Sequence, residues 1–345
     1  MSDTKPILAV TMGDPAGIGP EICLDLLQKD SILSECKPII FGDYNCLKQT
    51  ASLLSRPIKA NVLSYSDSLT KADYSQEGAY ILDLANVGLS EWELGKVNAM
   101  TGLASFEYIE KAIQSALEGR VDGIVTAPIH KGALNLAGID YPGHTEILQS
   151  MTDARSVSML LTSEKISCSL VTTHIPLSEV PSTLTSKRIL EVIGQTEAAM
   201  RAIQSKDSIR IAVLGLNPHS GENGLFGSEE SSIIQPAIDK ARAMGLDVVG
   251  PLPPDTAFIE DHLNQFDAFV CMYHDQGLIP LKLLSFDSAV NITLGLPIVR
   301  TSVDHGTALS IAGKGLANAS SLYEAIALAR SLSLSLSVSQ SEKKS

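Results

Sequence analysis

Ile7-Leu8-Ala9-Val10-Thr11-Met12-Gly13-Asp14-Pro15-Ala16-Gly17-Ile18-Gly19-Pro20-Glu21 decides the fold. The apolar run from Ile7 to Met12 suits a buried strand, and the glycines and prolines that follow make a tight turn. Pro20 suits the first turn of a helix and Glu21 its positive end, so the stretch reads as strand, loop and helix. Gly17-Ile18-Gly19 matches only part of a dinucleotide fingerprint, because Ile22 stands where the third glycine would fall. A tight turn that lets helix and strand pack closely accounts for these glycines equally well.

The same alternation continues outward. Further strands are expected at 38–42, 79–84, 123–127, 157–161, 166–172, 209–214, 268–272 and 290–294, with a long amphipathic helix over 100–117. Parallel strands joined by helical crossovers give an α/β class. The 345 residues suggest two domains, with the change placed near residue 135. No segment repeats, and the serine-rich tail after Ser331 is expected to fray.

Composition excludes several functions. With 44% hydrophobic and 19% charged residues the chain is an ordinary globule, and its net charge of −13 disfavours nucleic acid and anionic membrane surfaces. Neither a secretory signal nor a bilayer-spanning stretch is evident, so a cytoplasmic location is expected. The five cysteines include no C-x-x-C pair and read as small buried residues.

Three of the seven histidines, His174, His219 and His274, follow expected strand ends. Strand ends in α/β folds converge on one rim, so these imidazoles form a candidate three-ligand site for zinc, cobalt or a similar ion. Capping of separate loops is the competing explanation for each histidine alone. His144 and Thr145, in Tyr141-Pro142-Gly143-His144-Thr145-Glu146, suit either an anion site at a helix start or a simple N-cap. Lys282, Asn291 and Arg300 supply two cations and an amide fit for carboxylate or phosphate, although surface charges would look the same. The small residues of Asp304-His305-Gly306-Thr307-Ala308-Leu309 and on to Gly315 allow backbone to approach a ligand.

Taken in order, the Thr11–Glu21 loop, Thr126-Ala127-Pro128-Ile129-His130-Lys131, Pro142-Gly143-His144-Thr145-Glu146, Asn217-Pro218-His219, Pro254-Asp255-Thr256, Tyr273-His274-Asp275-Gln276-Gly277, the 295–302 stretch and the His305 loop resemble the PdxA (4-hydroxythreonine-4-phosphate dehydrogenase) family. The resemblance covers about residues 5–330. It implies the isocitrate/isopropylmalate-dehydrogenase-like fold, two α/β/α domains with a central cleft. The expected organisation is residues 1–135 plus 305–335 on the nucleotide side, 136–304 with the metal ligands and dimer interface, and a frayed tail at 336–345.

The resemblance further implies a homodimer with a shared active site, one divalent cation per subunit (zinc, magnesium or cobalt) on His174, His219 and His274, and a small phosphorylated hydroxy-acid substrate. That substrate would meet His144, Thr145, Lys282, Asn291 and Arg300. By analogy with the isopropylmalate and isocitrate enzymes, His305, Gly306, Thr307 and Ala308 would bind NAD, with NADP the alternative nucleotide. Asp255 and Lys282 are the candidates for proton transfer. The implied reaction oxidises 4-phosphooxy-L-threonine in vitamin B6 synthesis, and His130 together with the 303–309 stretch supports that branch. A sister group acting on 4-phospho-D-threonate or 4-phospho-D-erythronate resembles the chain at 221–227 and 279–284. A metal-dependent hydrolase and a non-catalytic phospho-ligand binder are the alternatives from other classes.

Overall fold

The structure is a computed structural model that describes residues 5–90, 92–285 and 288–342. In chain order its strands are β1 (Ile7–Thr11), β2 (Lys37–Gly42), β3 (Ala60–Ser64), β4 (Ala79–Asp83), β5 (Gly123–Thr126), β6 (Ser158–Thr162), β7 (Ser167–Leu170), β8 (Arg210–Leu214), β9 (Asp247–Leu252), β10 (Ala268–Cys271), β11 (Val290–Leu294) and β12 (Arg300–Ser302). The chain packs as two compact units, Met1–Arg155 with Leu296–Ser345, and Ser156–Gly295.

In the first unit the strand order is β3-β4-β2-β1-β5-β12, and every pairing is parallel. Leu8, Ala9 and Val10 are completely buried, as expected of a central strand covered on both faces. The helix Ala99–Leu117 begins at Asn98, whose side chain accepts from Thr101 N at 2.8 Å. Its inward face carries Ala104, Tyr108, Ile109, Ala112 and Ile113, spaced at three and four residues. The Tyr108 hydroxyl donates to buried Asp43 Oδ2 at 2.5 Å, so the polar end of a core ring is satisfied.

In the second unit the order is β11-β6-β7-β10-β8-β9. Here the sequence expectation of parallel crossovers needs correction, since β6 pairs antiparallel with both β7 and β11. The connection between β6 and β7 is only a tight turn, closed by Ser163 N donating to Ile166 O at 2.9 Å, and no crossover fits in it. Parallel pairing resumes through β7, β10, β8 and β9. The core beneath includes Leu170, Leu214, Phe269 and Leu281, with Phe258 and Phe269 rings 4.9 Å apart. All five cysteines are buried and none is in a disulfide.

The expected domain limits of 135 and 304 differ from the packing limits at 155 and 296. The helix His144–Met151 packs on Ala99–Leu117, and Arg300 of β12 registers with Ile124 of β5, so both belong to the first unit. The final helix, Ser320–Glu342, continues through the segment expected to fray from 336, and 343–345 lie outside the described residues.

Candidate active site

β7, β10 and β8 are successive, parallel neighbours, so their carboxyl ends form one rim. His174 follows β7, His274 follows β10, and His219 follows β8. The rings of His174 and His274 lie 5.6 Å apart between centroids. His274 Nδ1 faces Asp275 Oδ1 at 2.7 Å, a contact that favours the tautomer with Nε2 as the lone-pair nitrogen. Hydrogen bonds join these strand ends: Thr172 Oγ1 donates to Met272 O at 2.7 Å, while Gln276 accepts from Met272 N at 2.6 Å and donates to Gly215 O at 2.8 Å.

His219 is carried on the loop after β8. Its loop runs left-handed from His219 to Asn223, with φ between 39° and 78°, and its ring lies 6.1 Å from that of Phe226. The loop is held at its root by Glu230, whose carboxylate accepts from Leu216 N at 2.8 Å and Asn217 N at 2.7 Å. These bonds keep the Glu230 pKa below its ordinary value although burial pushes the other way. Among the described residues no group of three or more His, Cys, Asp or Glu is gathered closely enough to hold a metal ion. Of the three expected ligands, His174 and His274 have neighbouring rings, while His219 is carried on a loop set by Glu230.

The first unit holds a second concentration of polar groups. Its strand order reverses between β1 and β5, and the loops after these strands carry Asp14 and His130. Beside β5, Arg300 is 2% exposed and its Nη2 donates to Thr126 Oγ1 at 2.7 Å. Burial, partly opposed by Glu146, pulls the guanidinium pKa down to about 9, which still leaves it charged at neutral pH.

His144 is the first residue of the helix His144–Met151, and its Nε2 is buried with no hydrogen-bond partner. Burial first, and then the positive Arg300, hold its pKa well below 6.5, so the ring is neutral. Arg300, a neutral imidazole and a helix start form an arrangement suited to an anion. Thr145 does not cap the helix: Gly143 occupies the cap position and no side-chain cap bond forms.

The His305 loop is also in the first unit. Thr307 is buried, Ala308 is left-handed at φ 44°, and His305 Nδ1 lies 3.1 Å from Gly306 O. Ile18 N donates to Thr307 O at 3.0 Å, and a Cβ on Gly17 would lie 2.8 Å from that oxygen. A Cβ on Gly19 would lie 1.9 Å from Met12 O. The glycines thus permit close packing, the simpler of the two explanations offered by the sequence.

The remaining candidates lie in the second unit. Asp255 is exposed in the turn after β9, and Lys282 is half-buried on the helix His274–Ser285. Asn291 is on β11 with its Oδ1 buried and without a hydrogen-bond partner. The Lys282, Asn291 and Arg300 triplet is therefore divided between the two units. Sequence reasoning passed over Glu230, which carries no local motif, and gave Thr126 and Gln276 no role although both lie inside quoted motifs.

Residues 34–329 match the family described as pyridoxal phosphate biosynthetic protein PdxA. A 4-hydroxythreonine-4-phosphate dehydrogenase from Desulforapulum autotrophicum is 42% identical, with 95% of this chain and 96% of the relative covered. A D-threonate 4-phosphate dehydrogenase from Salmonella typhimurium is 44% identical, with coverage of 95% and 98%. Among solved structures, the 4-hydroxythreonine-4-phosphate dehydrogenase of Klebsiella pneumoniae superposes with a TM-score of 0.84 at 42% identity, covering 95% of this chain and all of that one. The fold is the isocitrate/isopropylmalate-dehydrogenase-like fold expected from the motifs, and the protein is a dehydrogenase. With the match spanning most of its length, the chain belongs to the PdxA family.

Proposed function

We propose that the protein oxidises the C3 alcohol of 4-phosphooxy-L-threonine with NAD as acceptor and a divalent cation as helper, in pyridoxine 5'-phosphate synthesis. The names of its relatives meet in one reaction class, dehydrogenation of a small phosphorylated hydroxy acid. The observation that carries the reading is the buried Arg300 guanidinium beside a neutral His144 at a helix start, a site for a phosphate or carboxylate.

Arg300 and His144 hold one anionic end of the substrate, with Thr145, Lys282 and Asn291 completing the set. His174 and His274 supply imidazole nitrogens for the cation, with His219 as the third ligand, and Asp275 orients His274. Such a cation, when bound, lowers the pKa of an alcohol and polarises the ketone that follows. His305, Gly306, Thr307 and Ala308 would hold NAD, which would supply the acceptor for the hydride of C3. Lys282 or Asp255 takes the hydroxyl proton. The product, 2-amino-3-oxo-4-phosphooxybutanoate, is a β-keto acid and loses CO₂ to give 3-amino-2-oxopropyl phosphate. NADP is the alternative acceptor, and zinc, magnesium and cobalt are the candidate ions.

A homodimer in the cytoplasm belongs to the same proposal. Ile279 and Leu283, 66% and 84% exposed and four residues apart on one helix, offer an apolar face for a second copy. No helix among the described residues is long and apolar enough to cross a membrane. Family membership removes the reasons for a hydrolase or a non-catalytic binder.

The second substrate reading, 4-phospho-D-threonate or 4-phospho-D-erythronate, is favoured by the 44% identity to the Salmonella typhimurium relative. Rates of NADH formation with 4-phosphooxy-L-threonine and with 4-phospho-D-threonate decide between them. Preference for the amino acid is expected. A clear preference for the threonate overturns the vitamin B6 assignment, and no NADH from either overturns the substrate class.

A further inference from the structure

Glu21, in the loop-helix stretch with which the sequence opens, has no part in the chemistry above, yet its side chain is fully buried. Its carboxylate accepts from the backbone N–H of Gly313 and, through Oε2 at 3.1 Å, from that of Gly315. A buried carboxylate on two backbone donors is a strong, directional constraint, because either partner left alone would be costly to bury. Two further backbone bonds act on the same region: Ile18 N donates to Thr307 O at 3.0 Å and Gly95 N to Ala16 O at 2.8 Å. Trp92, the chain's single tryptophan, donates from Nε1 to Pro15 O at 3.1 Å. The glycine-rich loop is therefore fastened at both ends of the 307–315 segment.

We infer that Glu21 is a positioning residue for nucleotide binding: it holds the 309–315 segment so that the adjoining His305–Ala308 backbone is preset for NAD. This rests on the assignment of that loop to the nucleotide. The role is conformational, since a preset loop loses less entropy when the ligand binds.

The test compares Glu21→Gln, Glu21→Asp and His305→Ala in the full chain. NAD affinity is read by titration calorimetry and by Trp92 emission, and KM is measured separately for NAD and for the phosphorylated substrate. Glu21→Gln keeps the size but turns an NH₂ toward one of the amides, so it should weaken NAD binding about tenfold. Its KM for the phosphorylated substrate should stay within about twofold. Glu21→Asp retains the charge and should restore part of the affinity. Weaker binding in His305→Ala with unchanged binding in Glu21→Gln overturns the inference alone. Unchanged NAD binding in both overturns the nucleotide assignment itself. If neither Glu21 variant folds, Glu21 is a residue of the core and the inference is overturned as well.

Discussion

His174 and His274 stand with their ring centroids 5.6 Å apart beyond the carboxyl ends of β7 and β10, strands that pair in parallel. Parallel pairing brings strand ends together however far apart they are in sequence, so two imidazoles a hundred residues apart share one rim. Asp275, at 2.7 Å from His274 Nδ1, is the group that sets the ring's orientation.

Asp275→Asn should therefore weaken cation binding by about 10–100-fold through loss of that orientation. Chelator competition with zinc or cobalt measures it, and His274→Ala should lose the cation altogether. Unchanged affinity in both variants would remove His274 from the metal site.

Glu230→Gln tests the other side of the same rim. The loop carrying His219 is anchored by Glu230 at Leu216 N and Asn217 N, so loss of charge should loosen it. Cation affinity should fall about tenfold or more, by the same outer-shell logic as for Asp275. Equal affinity in variant and wild type would show that His219 is placed by something else.

Arg300→Lys should raise KM for the phosphorylated substrate about a hundredfold, because a lysine cannot reproduce a planar two-point contact. Steady-state kinetics with NAD saturating are the check. Thr126→Val removes the acceptor of a buried guanidinium N–H, and unfolding by denaturant should report a cost of about 1–3 kcal/mol.

The pH dependence follows from His144. Its folded-state pKa lies well below 6.5, so folded and unfolded chains both carry a neutral ring above about that value. As pH falls below it, the unfolded chain takes up a proton that the folded chain refuses, and stability is lost. His144→Gln, which cannot titrate, should flatten the fall in denaturation midpoint below pH 6.5. A variant with the wild-type acid slope would assign that slope to other groups.

Leu283→Glu should separate the proposed dimer, because a charge would then lie in its apolar face. Sedimentation velocity on wild type and variant measures this. A wild-type monomer, or a dimer indifferent to the substitution, would put the interface elsewhere or remove it.

The sequence by itself determined the α/β class and the position of most buried strands, because Ile7–Thr11 is a nearly continuous apolar run and Val290–Leu294 alternates apolar with polar residues, both strand patterns. It also marked the motifs that identify the family. β3 and β9 were missed because they are edge strands, half-exposed or interrupted by Pro251, where burial imposes little pattern. β12, only three residues long, was too short to stand out.

Only the tertiary structure decided that β6 turns back on β7, that the unit limits fall at 155 and 296, and that His144 shares a unit with Arg300. It also decided that Glu21 meets Gly313 and that Glu230 anchors the loop of His219. The physical reason is the same in each case: hydrophobic periodicity records which face of an element is buried, whereas a hydrogen bond between distant residues depends on which elements become neighbours, and nothing local in the chain encodes that.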